Sequence, residues 1–459
     1  MNPSVTPTRQ EIEGWLPGPI SLDVAGIVHD YLGNPFVTLW EVRKGGIIWL
    51  PIAGFGDDYW VSWGDGMSNR IQYNNDVPMT PSHTYSAAGQ YRVHITGMIR
   101  GFCCGGSRHH SDVPVVQDRS ELLEVSQWGC LRLLNGSRSF GGCTKLTVTA
   151  RDAPVLKDAK DLSEMFAGCV SLRKEDFSSW DTSNVTCMRH MFYGCKQFDG
   201  NVSTWSTSSV KDMSGMFQDC FRFDGDLSRW KTGCVTNMDR MFMSCVSFNG
   251  DLSQWATGNV ETIERMFHGC VSFRGGDLRG WDTSRVFDMR SAFSGCDVFN
   301  GDLSAWITGS AVAMDRMFKG CSAFRGGDLC GWRTGRVTGM KEMLMGCRSF
   351  EGDVSSWNTG ACESMSSMFK GCCCFNGDLR RWDTSMVIHA QHMFFDCVSF
   401  KGDLSAWDVG NLSMLYQHNK SDFESVIDCM CGGFFSVIPQ DFRPSRRVNR
   451  LRSGKRWRI

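Results

Sequence analysis

The feature that most constrains this chain is a repeat of fixed length. A cysteine recurs at Cys143, Cys169, Cys195, Cys220, Cys245, Cys270, Cys296, Cys321, Cys347, Cys372 and Cys397, always 25 or 26 residues after the one before. A tryptophan recurs in step at Trp180, Trp205, Trp230, Trp255, Trp281, Trp306, Trp332, Trp357, Trp382 and Trp407. A period of roughly 20 to 50 residues marks units that cannot bury an apolar face alone and must stack on their neighbours. Function is therefore to be sought first on a long repeated surface.

One repeat, Asp181 to Trp205, reads DTSNVTCMRHMFYGCKQFDGNVSTW. Asp181, Thr182, Ser183 and Asn184 are all good N-cap types, and Val185, Met188, Met191 and Phe192 follow at i, i+3, i+6 and i+7, one face of a helix of about three turns. Gly194 stands where a helix commonly ends. Asp199 and Gly200 make a turn, and VSTW reads as a short strand. The expected class is α/β, a right-handed solenoid of about eleven helix-strand coils whose strands pair in parallel at about 4.8 Å spacing.

The Met, Phe and Trp columns are expected to form the core, since apolar residues at a regular period are ordinarily buried. Stacked cysteines about 4.8 Å apart are too far for the ~3.8 Å Cβ separation of a disulfide, so buried free thiols are expected. Asp226, Asp251, Asp277, Asp302, Asp328, Asp353, Asp378 and Asp403 recur in GDL or GDV. One carboxylate per coil falls short of the six to eight oxygens calcium takes, and a turn-forming aspartate is the reading.

Composition limits the partners. With 459 residues, 42% apolar content and a net charge of −1, the folded body has no basic field for nucleic acid or an anionic membrane. The tail from Arg443 to Ile459 is the exception, carrying eight Lys or Arg and no acid. No run approaches the ~18 apolar residues of a membrane span, and the opening stretch has no signal-peptide core. No nucleotide loop, HExxH or GxSxG occurs, so neither catalytic residues nor a cofactor is expected. Cys103, Cys104, His109 and His110, in the stretch ending at Asp112, offer metal-ligand types, but the favoured reading is an exposed polar loop.

The form DTSxVxxMxxMFxGCxxFxGDLSxW, as in DTSNVTCMRHMFYGCKQF, resembles the repeat of BspA-like leucine-rich-repeat surface proteins, including the 26-residue-repeat lipoproteins of mycoplasmas. Upstream, WVSWGDG (Trp60 to Gly66) with HTYSAAGQYRVHITG (His83 to Gly97) resembles the paired signature of a PKD-like domain, a small all-β sandwich similar to immunoglobulin-like modules. The two resemblances imply a leucine-rich-repeat-like solenoid preceded by such a sandwich. They divide the chain into an N-terminal segment, partly disordered (1–34), a PKD-like sandwich (35–115), an N-terminal cap and first coil (116–160), the repeats (161–407), a C-terminal cap (408–440) and a basic disordered tail (441–459).

The resemblance implies a noncatalytic surface or adhesion protein, monomeric, that binds a protein or glycan. Its candidate contacts are the outward residues beside the expected strands: Ser203, Thr204, Ser228, Arg229, Ser253, Gln254, Arg279, Ser304, Ser356, Arg380, Arg381 and Ser405. The alternatives are an intracellular scaffold, favoured by the missing export signal and the thiol-rich core, and a metal-dependent protein with its site near 103–112. Cell-surface or secreted placement rests on the resemblance alone.

Overall fold

The computed structural model describes residues 34–52, 59–72, 81–97, 99–104, 119–133, 136–408 and 410–411. His109, His110 and Asp112, the tail and nearly all of the segments 1–34 and 408–440 lie outside them. The chain divides into two units, residues 1–209 and 210–459.

Among the described residues the first unit opens with eight strands: β1 Phe36–Val42, β2 Ile47–Trp49, β3 Tyr59–Ser62, β4 Ser68–Ile71, β5 Ser82–Thr84, β6 Gly89–Gly97, β7 Leu122–Gln127 and β8 Thr147–Val148. Six form one sheet in the order β4-β3-β6-β1-β7-β8, and β2 pairs with β5 in a second. β1 lies between β6 and β7, antiparallel to both. Phe36, Val37, Thr38, Trp40 and Val42 are accordingly buried, and the indole of Trp40 donates to Thr38 Oγ1 at 2.8 Å.

The two halves of the WGDG and HTY motif meet. Tyr85 Oη donates to the Trp63 carbonyl at 2.8 Å, His83 Nε2 lies 2.6 Å from Asp65 Oδ2, and the His83 ring stacks on Trp63 at 5.1 Å. The expected separate sandwich is nevertheless corrected. β7 extends the main sheet and β8 joins it in parallel, so strands from beyond residue 115 complete a mixed sheet.

The repeats correct the expectation more deeply: the described residues contain no α-helix, so the helix-strand solenoid is not what forms. The backbone hydrogen bonds give the reason. In the first unit Leu162, Glu164, Phe166 and Gly168 donate to the carbonyls of Cys187, Arg189, Met191 and Tyr193 in the next coil, at 2.9, 2.8, 2.9 and 2.6 Å. Met165, Ala167 and Cys169, which alternate with them, donate three residues back, to Leu162, Glu164 and Phe166. An α-helix spends every interior N–H on its own i−4 carbonyl. Here every second N–H is exported, and what remains is a chain of tight turns.

That alternation needs left-handed backbone at fixed places. Glu164 and Gly168 have φ of 55° and 76°, His190 and Gly194 of 53° and 72°, and in the second unit Arg265 and Gly269 of 55° and 76°. Two left-handed residues four apart interrupt any helix within one turn. The predicted strand is also replaced: Ser203 and Thr204 lie in a turn closed by Trp205 N–H to the Val202 carbonyl at 3.2 Å. β-like pairing falls instead inside the expected helix, as an unbroken run of parallel bridges in the second unit through Asp212, Asn237, Thr262, Asp288, Ala313, Gly339, Ser364 and His389.

The core columns stand as read. Met, Phe, Trp and Cys of the repeats are almost all less than 9% exposed. In the second unit Phe242, Phe267, Phe293 and Phe318 stack at 5.6, 5.5 and 5.6 Å, and Trp230, Trp255, Trp281 and Trp306 at 6.4, 6.4 and 6.1 Å with planes within 5° of parallel. Each such ring pair contributes about 0.5–1.5 kcal/mol beyond its buried area.

Candidate interaction faces

Two outward strips run along the second unit. The first follows the parallel bridges. A groove of about 430 Å³ opens there, with Glu264, Arg265, Arg290, Asp315, Arg316, Lys341, Glu363 and His389 among its lining. The left-handed column borders it, so Arg265, Ser291, Arg316 and Glu342 are presented by strained backbone at φ 55–58°. Gly339, also in the lining, leaves room for the Asp315 carboxylate, since a Cβ there would come within 2.5 Å of Asp315 Oδ2.

Charges on this strip pair within and across coils. Glu264 takes Arg240 at 3.0 Å, Arg265 at 3.1 Å and Arg290 at 3.9 Å. Glu342 accepts both arms of Arg316, at 3.1 and 3.2 Å, and Lys319 at 2.6 Å. The Arg316 hydrogen bonds, joined by Lys319 and opposed by partial burial, hold the Glu342 carboxyl at about 2, below its ordinary 4.5. A folded pKa below the unfolded one stabilises above the unfolded value and is lost as pH falls through the folded one. Glu342→Gln should therefore cost about 1 kcal/mol at pH 7, after screening of the half-exposed cations, and nothing near pH 2. Urea midpoints of both proteins across pH 2 to 7 check this; parallel curves would refute it.

The second strip is the aspartate edge, where the sequence placed its contacts. Ser203 and Thr204 of the first unit, and Ser228, Arg229, Ser253, Gln254, Arg279, Ser304, Ser356, Arg380, Arg381 and Ser405 of the second, do point outward. Ser203, Ser228 and Ser253 are half-buried and the rest exposed. They lie in turns, not on a sheet. Each coil's aspartate accepts the N–H two residues on, as Asp226 does from Ser228 and Asp302 from Ser304, both at 2.9 Å. Arg279 and Arg380 fold back onto Asp277 and Asp378, and the Arg380 hydrogen bonds hold Asp378 at about 2. Much of this edge is thus occupied with its own turns.

Two buried columns carry hydrogen bonds that the sequence did not disclose. Thr257, Thr283 and Thr308, in the column taken for helix caps, donate Oγ1 to the carbonyls of Asp282, Ile307 and Arg333 in the next coil, at 3.0, 3.1 and 3.2 Å. In the second unit the column cysteines are free thiols, and three of them donate backwards: Cys245, Cys270 and Cys296 Sγ lie 3.0, 2.9 and 2.9 Å from the carbonyls of Phe217, Phe242 and Phe267. Burial pushes these thiols up, keeping the donating proton in place. A single threonine in one turn gives no signal of this role; its recurrence in nine coils is the one that could have.

Among the described residues no group of three His, Cys, Asp or Glu is arranged to hold a metal, and no helix is long and apolar enough to cross a membrane. The family model described as Mycoplasma protein of unknown function, DUF285, matches three times, over residues 160–277, 263–352 and 325–426. Together these spans cover more than half of the sequence. The chain belongs to this family. Three overlapping matches are what a repeat family gives on an array of coils, and the bridges, groove and aspartate edge of the second unit all fall within DUF285 repeats. No curated protein and no solved structure matches the chain.

Proposed function

We propose that this DUF285 protein is a noncatalytic interaction module that binds a protein ligand along the bridge face of its second unit. The observation behind this reading is the contrast between columns. Inward positions keep Met, Phe, Trp and Cys from coil to coil, while the bridge column changes at every step, from Asp212 and Asn237 through Ala313 and Gly339 to His389. A fixed core with a variable outer strip suits recognition, which selects for side chains rather than for backbone. A groove lined by both charge signs favours a polypeptide that carries both; a glycan is the second ligand class. The resemblance of its motifs to those of BspA-like surface proteins and PKD-like modules supports a role in adhesion.

The test is capture of ligands from a displayed peptide library and a glycan array by the purified full chain. A triple variant Arg290→Ala, Arg316→Ala, Lys341→Ala should lose the captured ligands, while Arg279→Ala, Arg380→Ala, Arg381→Ala on the aspartate edge should keep them. Retention by the first and loss by the second would move the site to the edge, and no capture at all would remove the reading. The protonated thiol column favours a second placement, as a scaffold inside the cell, and localisation of the tagged protein separates the two.

A further inference from the structure

In the first unit the segment 99–104 sits on the first coil as one coil sits on the next. Ile99 forms a parallel bridge with Leu131, and Arg132 N–H donates to the Ile99 carbonyl at 3.0 Å. The Phe102 ring stacks on Phe140 at 5.3 Å, as Phe140 does on Phe166 at 5.5 Å. Cys104 N–H donates to the Ser139 carbonyl at 2.8 Å. This short stretch therefore covers the exposed end of the stack, a task repeat proteins give to an atypical unit.

The imitation fails at the sulfur. Cys169 and Cys195 donate to the carbonyls of Phe140 and Phe166 in the preceding coil, at 3.1 and 3.0 Å. Cys143 meets the covering segment rather than a full coil, and its thiol and that of Cys104 lie near enough to influence each other. Both are buried, Cys104 at 2% and Cys143 at 0% exposure. Two buried thiols thus stand in adjacent layers, with the two backbones already held in register by the Cys104 to Ser139 hydrogen bond.

We infer that Cys104 and Cys143 are a disulfide-forming pair, closed by a disulfide oxidant such as oxidised glutathione, and that the bond clamps the covering segment onto the first coil. One thiolate attacks the glutathione disulfide and releases one glutathione thiol. The second cysteine then attacks that mixed disulfide, forms the protein S–S bond and releases the other. The two cysteines lose two protons and two electrons, and glutathione takes up both. Burial raises the Cys104 thiol well above its ordinary range, so attack on the folded form is slow. Closure therefore belongs to folding or to local opening of the segment, after which burial shields the bond from reductant.

The competing partners are weaker. Cys103 is the sequence neighbour of Cys104, and Cys169 already donates its proton to Phe140. The experiment refolds the full chain in a glutathione redox buffer, blocks remaining thiols with an alkylating reagent and maps linked peptides by mass spectrometry without reduction. A dominant Cys104–Cys143 linkage is expected, absent from Cys143→Ser or, should that variant not fold, from Cys104→Ala. The oxidised protein should also melt about 4–8 °C above the reduced one. Both cysteines alkylated after oxidative refolding, or Cys104 joined to any other cysteine, would overturn the assignment.

Discussion

Trp281→Ala is expected to destabilise the second unit by about 4 kcal/mol, within the ~3–5 kcal/mol range for emptying a buried aromatic site. Three losses coincide at this position. The indole is 2% exposed, so its volume becomes a cavity. It stacks between Trp255 at 6.4 Å and Trp306 at 6.1 Å, with planes 1° and 5° from parallel, and both contacts vanish. Its N–H also donates to the Leu252 carbonyl of the preceding coil at 3.1 Å. Trp281→Phe keeps a ring and loses only the hydrogen bond and part of the volume, for about 1–2 kcal/mol. Urea unfolding of both variants measures the difference. An alanine variant within about 1 kcal/mol of the natural protein would mean that the tryptophan column is not the spine of the stack.

That column was legible because burial follows side-chain identity whatever the backbone does. Met188, Met191, Phe192 and Cys195 recur at intervals of three, one and three, and all are fully buried. The same intervals fit a helix, which is why the backbone was misread. What separates the two structures is the sign of φ at His190 and its equivalents. Left-handed positions are held here by Glu164, Arg240, Arg265 and Arg316 as well as His190, and glutamate and arginine do not announce such a conformation. Gly194, read as the end of a helix, is instead the second of two left-handed residues in the turn chain.

The site was legible in part for the same reason. Outward residues near the aspartates could be named, because an aspartate two residues before a serine makes the same local turn on any scaffold. The bridge face could not, since it was hidden inside the expected helix. Its members, such as Asp288, Gly339 and His389, share no residue type; only the next coil's carbonyls define the strip.

Coil length offers the sharpest contrast between a tolerated and a forbidden change. Within the second unit the two 26-residue intervals, Cys270 to Cys296 and Cys321 to Cys347, are those that read FRGGDL, where 25-residue intervals have a single glycine, as in FNGDL. The extra residue is absorbed by glycine pairs with left-handed backbone, Gly275 and Gly276 at φ 95° and 45°, and Gly326 and Gly327 at 89° and 48°. Gly275 also has no room: a Cβ there would lie 2.5 Å from Phe299 Cε2 and 2.9 Å from the Gly301 Cα. Gly275→Val therefore combines left-handed strain of ~1–2 kcal/mol with an overlap of ~1–3 kcal/mol, for about 3–4 kcal/mol in all. A Cβ at Gly276 meets nothing within 4 Å, and deleting that residue restores the 25-residue form of the neighbouring coils. The deletion is expected to leave stability within about 1 kcal/mol of the natural protein, because the shorter turn already exists at Asn249 to Asp251. Paired urea midpoints decide the matter. A deletion as damaging as the valine substitution would show that the longer coil sets the register of its neighbours.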